Sequence, residues 1–396
     1  MRGLNVGLWG IWSLIGVSCM APKQVDVDPT LPEAKLEIIA VAPESLLVET
    51  TGADEPSLRG RALELLILGS QAAAGGVYGS QALGDPDPWI QQRAVEILSA
   101  RLKEPETVKV LSEYIGRTDS LVNVYAQGAA GLRLVQAGKM EAVQPHLHRY
   151  KELKDQPWSV GPLALMAAKA GDPEALGVLS ESLRQGELPL EVDFLMDVGL
   201  SGLSELRAPM EAGQEWIEEE LALFFALARM ALGDVGGEHI LRLALGSDDE
   251  SIQMEALDAL IRIPGTDHLL QRAASQRQSV ISWYGELALV GRGLGSVDVL
   301  SKAIVNDNRM VREFAATFAG QVSPVRSKKP FRVARQVIKM SLTDEDAVVR
   351  SQGLKSAVVL NLESLKSDIQ QLMSDEVLSV RLEAAGALLA LDSTSP

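Results

Sequence analysis

Val311 opens the decamer VREFAATFAG, Val349 opens VRSQGLKSAV and Val380 opens VRLEAAGALL, so nearly the same ten residues are written three times. Such recurrence constrains a chain more than any local propensity does, because a fixed period means one supersecondary unit stacked on copies of itself. Extending the register from Val311 places aliphatic or aromatic residues at Leu58, Ile90, Val122, Trp158, Leu190, Ile217, Ile252, Ile281, Val349 and Val380. The mean step is about 32 residues, in the range of stacked helical hairpins. Four positions further on stand Ala62, Ala94, Ala126, Pro162, Phe194, Leu221, Ala256, Gly285, Ala315, Gly353 and Ala384, most of them small. Residues at i and i+4 share a helix face, and a small side chain there lets a neighbouring helix approach closely.

An aspartate lies just upstream of most of these sites: Asp54, Asp87, Asp119, Asp155, Asp249, Asp307, Asp346 and Asp375. There it can accept hydrogen bonds from unpaired first-turn N–H groups and oppose the helix dipole, which marks the start of a second helix in each unit. First helices are legible between them, in ETVKVLSEYIG, EAVQPHLHRYKEL, EALGVLSESLRQG, GEHILRLALGS, TDHLLQRAASQ, SVDVLSKAIVND and ESLKSDIQQLMS. A hairpin of two short helices cannot bury both faces alone, so the units must stack. Composition agrees. Apolar residues reach 46% but aromatics only 4%, so burial rests on Leu, Ala, Val and Ile. The expected fold is all-α: an α-solenoid of about eleven helical hairpins over residues 57–396.

Asp307 with Val311, Arg312 and Ala315, Asp346 with Val349, Arg350 and Gly353, and Asp375 with Val380, Arg381 and Ala384 resemble the HEAT repeat, particularly its short phycobilisome-lyase version. Leu58, Arg59 and Ala62 carry the likeness at the other end, and it spans Ser57 to Leu391. The resemblance implies arginine–aspartate ladders between neighbouring units. Asn123, Ser159, Glu191 and Glu218 replace the arginine in the middle, so the ladder is expected to break there and stacking to lean on apolar packing. The signature residues of tetratricopeptide and ankyrin repeats are missing.

The N-terminus carries a second signal. Arg2 is followed by an apolar stretch from Leu4 to Val17, too short for a comfortable membrane span and shaped like an export signal. Ile15-Gly16-Val17-Ser18-Cys19 resembles the lipobox of bacterial lipoproteins, although Gly16 stands where the family prefers an aliphatic residue. The resemblance implies cleavage before Cys19 and lipidation of its thiol. The alternative is an ordinary secretory signal cleaved near Ser18 or Ala21. Residues 1–18 are therefore expected to be a signal peptide, and residues 19–56, with five prolines, a lipid-anchor cysteine and flexible tether. Cys19 is the single cysteine, so no intrachain disulfide can form.

The sequence carries no recognisable catalytic constellation. His146 and His148 sit at i and i+2, which face apart on a helix, and His239 and His268 are isolated. GRGLGS, from Gly291 to Ser296, follows a helix rather than a strand and reads as a turn between units. No catalytic residues, metal or cofactor are expected, and the chain is not expected to be an enzyme. Charge is more informative. The net charge of −16 opposes duplex nucleic acid or an anionic membrane surface as a whole-molecule partner, since phosphate binding depends on Lys and Arg, and leaves room only for local basic patches. Residues 181–220 hold eleven acids against two arginines. Against this background RSKKPFRVARQVIK, residues 326–339, has six cations and no acid, and Lys328, Lys329, Arg332 and Arg335 are the candidate contacts for an acidic partner. Trp89, Trp158, Trp216 and Trp283 each fall within two residues of a reference site and are expected in the core.

Together these features lead to the expectation of a non-catalytic scaffold in the bacterial cell envelope, held by lipid and facing the periplasm, that binds a protein or envelope partner. A chaperone-like transferase of the lyase type and an unlipidated periplasmic scaffold are the alternatives.

Overall fold

Helices form where the 32-residue period places them. The computed structural model describes residues 42–70, 72–118, 123–153, 157–185, 192–213, 222–234, 236–262, 265–276, 279–323 and 328–393, and among these no strand occurs. Numbered in chain order, the second helices are α2 (Pro56–Gly69), α4 (Pro88–Ser99), α6 (Val124–Gln136), α9 (Pro157–Lys169), α11 (Val192–Ser201), α13 (Ala222–Ala231), α15 (Glu250–Arg262), α17 (Val280–Gly291), α19 (Arg309–Ala319), α21 (Ala347–Val359) and α23 (Leu378–Ser393). The first helices are α1 (Pro43–Thr50), α3 (Ala72–Leu83), α5 (Pro105–Ile115), the broken pair α7 (Met140–Val143) and α8 (Arg149–Glu152), α10 (Pro173–Gln185), α12 (Arg207–Gly213), α14 (Gly236–Ala244), α16 (Asp267–Ala274), α18 (Asp298–Ala303), α20 (Lys328–Ser341) and α22 (Lys366–Gln371). This is an all-α architecture of stacked hairpins, the α-solenoid plan.

Local chemistry starts and stops these helices. The side chains of Asp87, Asn123, Asp249, Ser279, Asn308 and Asp346 each accept from first-turn N–H groups, as N-caps should. Two expected caps differ. Asn308 rather than Asp307 caps α19, and α2 starts at Glu55 with no side-chain cap from Asp54. Asp119 and Asp155 lie outside the described residues. Seven of the second helices are followed by a left-handed residue: Gly138, Gly171, Gly202, Gly233, Gly265 and Gly293 all have positive φ, and Asn361 takes the same role after α21. Only a residue without Cβ enters that region freely, so the glycines stop the helix and turn the chain back. GRGLGS is one of these stops.

The small residues four positions into each second helix are buried: Ala62, Ala94, Ala126, Ala256, Ala315 and Ala384 are at most 2% exposed. Two expectations about the apolar stripe are corrected. Ile252 is 40% exposed and Met254, Ala256 and Leu257 fill the core instead, while Trp89 is 54% exposed rather than buried. Trp89 precedes the buried Ile90 by one residue, about 100° around the helix, and so lies off the packed face. Trp216 and the Trp158 side chain lie outside what is described.

The chain divides into two compact units, Met1–Ser70 with Asp267–Pro396, and Gln71–Thr266. In the first unit α17, α19, α21 and α23 pack in succession, and α2 then packs on α23, with α1 against both. The N-terminal hairpin therefore occupies the last place of the C-terminal stack. This corrects the expectation of a flexible tether through residue 56, because α1 lies within that segment and Leu47 is 0% exposed. The approach of α2 to α23 is close: a Cβ on Gly69 would meet Leu389 at 2.7 Å, and Gly386 faces Leu65. Arg61 bridges the same contact, donating to both carboxylate oxygens of Glu383 at 2.5 Å. Burial opposes the Arg61 charge, yet Glu383 and Glu64 together raise its pKa well above the ordinary arginine value.

The ladder expected from the arginines is present in this unit. Arg312 pairs with both carboxylate oxygens of Asp344, at 2.8 and 3.1 Å, and Arg350 with those of Asp375, both at 2.8 Å. The same arginines cap backbone carbonyls before their own helices, Asn306 and Asp307 for Arg312, Asp344 and Glu345 for Arg350. Arg381 makes its own capping bonds, to Asp375 and Glu376, but has no ion pair among the described residues. The ladder position of the next hairpin in the stack is Ala53, whose carbonyl receives Arg59 as that of Asp344 receives Arg350. Replacing Ala53 with aspartate should extend the ladder to Arg381 and stabilise this unit by about 1 kcal/mol. A double-mutant cycle with Arg381→Ala checks it; a gain that survives loss of the arginine would contradict the geometry.

In the second unit the arginine is replaced, and amides take over. Gln91 donates to the Asp85 carbonyl at 2.7 Å while its oxygen accepts from the Tyr114 hydroxyl at 2.6 Å and the Asn123 N–H at 2.9 Å. Gln127, fully buried, donates to the carbonyls of Tyr114 and Arg117, at 2.7 and 2.9 Å. Stacking here thus rests on a buried amide network as well as on the apolar packing expected for the middle of the chain. Such buried groups are tolerable because each is hydrogen-bonded.

Candidate functional site

The cation-rich segment folds as α20, and its two faces explain why. Ala334, Val337, Ile338 and Ser341, at helical spacing, are buried, and Gly353 of α21 lies directly against Ser341, so that side is held in the stack. Lys329, Arg332, Arg335 and Lys339 recur every three or four residues on the opposite side and are all exposed. At 100° per residue they fall within an arc of about 120°. One helix thus carries a basic stripe on a chain of net charge −16.

The stripe is only partly neutralised. Lys329 faces Asp298 of α18 at 3.6 Å and Lys339 faces Asp368 of α22 at 3.5 Å, both pairs solvated. Exposed pairs of that length contribute little, because water screens them. Arg332 and Arg335, between the two lysines, have no carboxylate or hydrogen-bond partner among the described residues. Met340, 39% exposed, follows Lys339 at the C-terminal end of the row. Of the four candidate contacts, the structure brings Lys329, Arg332 and Arg335 onto one face; the Lys328 side chain lies outside what is described, as does Arg326. Cys19 also lies outside the described residues.

The second unit holds a small cleft on its second helices, lined by Tyr125, Leu132, Pro162, Phe194 and Asp197. Tyr125 and Phe194 meet edge to face at 6.5 Å, and Arg133 holds Asp197 at 2.6 Å. Its space is about 20 Å³, room for one water molecule, which is far below the size of a substrate pocket. His146 and His148 do not converge. His146 packs on Gly116 and has its pKa lowered by burial first and then by Arg149 and His148, while His148 points to Glu152 at 3.2 Å. Among the described residues no group of three His, Cys, Asp or Glu side chains is placed to hold a metal, and no helix is long and apolar enough to cross a membrane.

No protein-family model matches the chain, and no curated protein matches it. Among solved structures, human deoxyhypusine hydroxylase in complex with glycerol is similar over 81% of this chain and 97% of that one, with 14% identity and a TM-score of 0.31. An engineered protein is similar over 89% of this chain and 96% of that one, with 16% identity and a TM-score of 0.24. At these scores neither likeness bears on activity, and the assignment of a stacked-hairpin fold stands on the packing described above.

Proposed function

We propose that this chain is an exported HEAT-like scaffold, held to a bacterial envelope membrane by lipid on Cys19, that engages an acidic partner through the first unit. The observation that carries the reading is the α20 stripe: exposed cations on a helix whose other face is locked into the stack, on a molecule otherwise dominated by carboxylates. A rigid array presents such a stripe in fixed geometry, which is what a scaffold contributes to binding. The Leu4–Val17 apolar stretch and the residues around Cys19 support export and lipidation.

Two measurements test the two halves separately. Cys19→Ser should move the protein from the membrane fraction to the soluble fraction in its native host; unchanged fractionation would remove the lipid anchor and leave an unlipidated scaffold. Neutralising Lys328, Lys329, Arg332 and Arg335 together to glutamine should weaken capture of acidic partners in a pull-down, and undiminished capture would remove the stripe.

A further inference from the structure

Resting on that reading, the partner of the stripe can be given a chemical class. We infer that Arg332 and Arg335, flanked by Lys329 and Lys339, dock on the anionic headgroup layer of a lipid membrane. Three observations point to a surface of diffuse negative charge. The cations lie in a row along one helix rather than around a pocket, and a row of solvated cations reads a charged plane, whereas recognition of a single carboxylate uses a fixed bidentate fork. The two arginines have no partner among the described residues, so docking breaks no ion pair there. Met340, exposed next to Lys339 at the C-terminal end of α20, supplies an apolar contact suited to the boundary between headgroups and acyl chains.

Where the chain leaves the described structure matters as well. The segment that leads from Cys19 enters at Ala42 and runs into α1, which packs in the same unit as α20. Fully extended, the residues between Cys19 and Ala42 reach about 80 Å at most, so a lipidated Cys19 keeps this unit within that distance of the bilayer. A polybasic patch alone gives weak binding, but on a chain already tethered to the bilayer through an acylated Cys19 its docking is intramolecular and correspondingly strengthened. The net charge of −16 does not prevent this. Carboxylates more than a Debye length from the bilayer, about 8–10 Å at ordinary salt, are screened, and the nearer Asp298 and Asp368 are offset by Lys329 and Lys339, which leaves the two arginines as net charge at the contact.

The test uses the full chain carrying Cys19→Ser, so that acylation does not contribute, and compares sedimentation with phosphatidylcholine vesicles and with vesicles one-third phosphatidylglycerol. The apolar N-terminal stretch contributes to both, and the ratio isolates charge. Each cation at an anionic surface is worth roughly a fivefold gain, so Arg332→Gln with Arg335→Gln should lower the anionic-to-neutral binding ratio roughly 25-fold, and 0.5 M salt should do the same to the parent. Arg332→Lys with Arg335→Lys should keep the ratio, because a headgroup layer reads charge rather than fork geometry. Immobilised poly-glutamate is the second probe. Loss of poly-glutamate capture with an unchanged vesicle ratio would overturn the membrane assignment and leave the stripe as a protein contact. No change with either probe would overturn both. All these residues are exposed, so an unchanged thermal melt confirms that the variants are folded.

Discussion

Replacing Arg350 with alanine is expected to lower the stability of the first unit by about 3–5 kcal/mol, the usual penalty for breaking one partner out of a buried ion pair. The guanidinium is only 7% exposed and is used on every edge. Two of its nitrogens hold the carboxylate of Asp375, and a third donates at 2.9 Å to the carbonyls of both Asp344 and Glu345. Its pKa is raised chiefly by the hydrogen bond to Asp375, which outweighs the opposing effect of burial. Removing it would strand a carboxylate whose side chain is 7% exposed, together with two carbonyls at the start of α21. Arg350→Lys should recover only part of the loss, since an ammonium cannot make the planar fork. Urea denaturation followed by hydrogen exchange on α21 and α23 measures the effect. A loss under about 1 kcal/mol would mean that the ladder is decoration and that apolar packing alone holds these hairpins.

The second large effect concerns a residue that composition assigns to a tether. Leu47→Ala should destabilise the first unit by about 2–5 kcal/mol, because Leu47 is 0% exposed among α1, α2 and α23, and truncation leaves a cavity there. In a flexible tether the same change would stay within about 0.5 kcal/mol. Limited proteolysis gives an independent readout: loss of Leu47 should open cleavage within residues 42–55, ahead of any cleavage in α21 or α23. Equal resistance in parent and variant would argue that α1 is not docked.

These two residues also show where the sequence could be read and where it could not. Arg350 was legible because Val349-Arg350 recurs at Val311-Arg312 and Val380-Arg381, and a repeated charged residue at a fixed step has a repeated partner. The partner was only half legible. Aspartates upstream of each second helix serve two purposes, and the spacing separates them: Asp346 and Asp87, three before the reference site, cap the helix, whereas Asp344 and Asp375, five before it, receive the arginine of the preceding hairpin. A further periodic signal is the glycine that follows many of the second helices. Gly138, Gly171, Gly202, Gly233 and Gly265 recur at nearly the repeat period, and each stops its helix by taking a positive φ.

For the basic helix, the concentration of cations was legible, but their placement on one outer face came from the burial of Ala334, Val337, Ile338 and Ser341 in the stack. What periodicity could not provide was the company they keep. That Lys329 and Lys339 lie near Asp298 and Asp368, while Arg332 and Arg335 do not lie near any described carboxylate, depends on which helices flank α20. Leu47 was illegible for a different reason. Five prolines between Cys19 and Ser57 and the lack of a sustained helical period argue for extended chain, and α1 is only eight residues long, too short to be stable without a surface to pack on.

Sequence alone therefore determined the helical hairpin, its period and the small residues at the helix contacts, because each follows from spacing within one helix or from one helix to the next. Tertiary structure alone decided that the N-terminal hairpin takes the last place of the C-terminal stack, closing α2 on α23 through Arg61 and Glu383. Every repeat offers much the same apolar side to its neighbour, so the pattern says that a side must be covered but not which hairpin covers it. Only distant residues meeting in space, Leu65 on Gly386 and Gly69 on Leu389, select the partner.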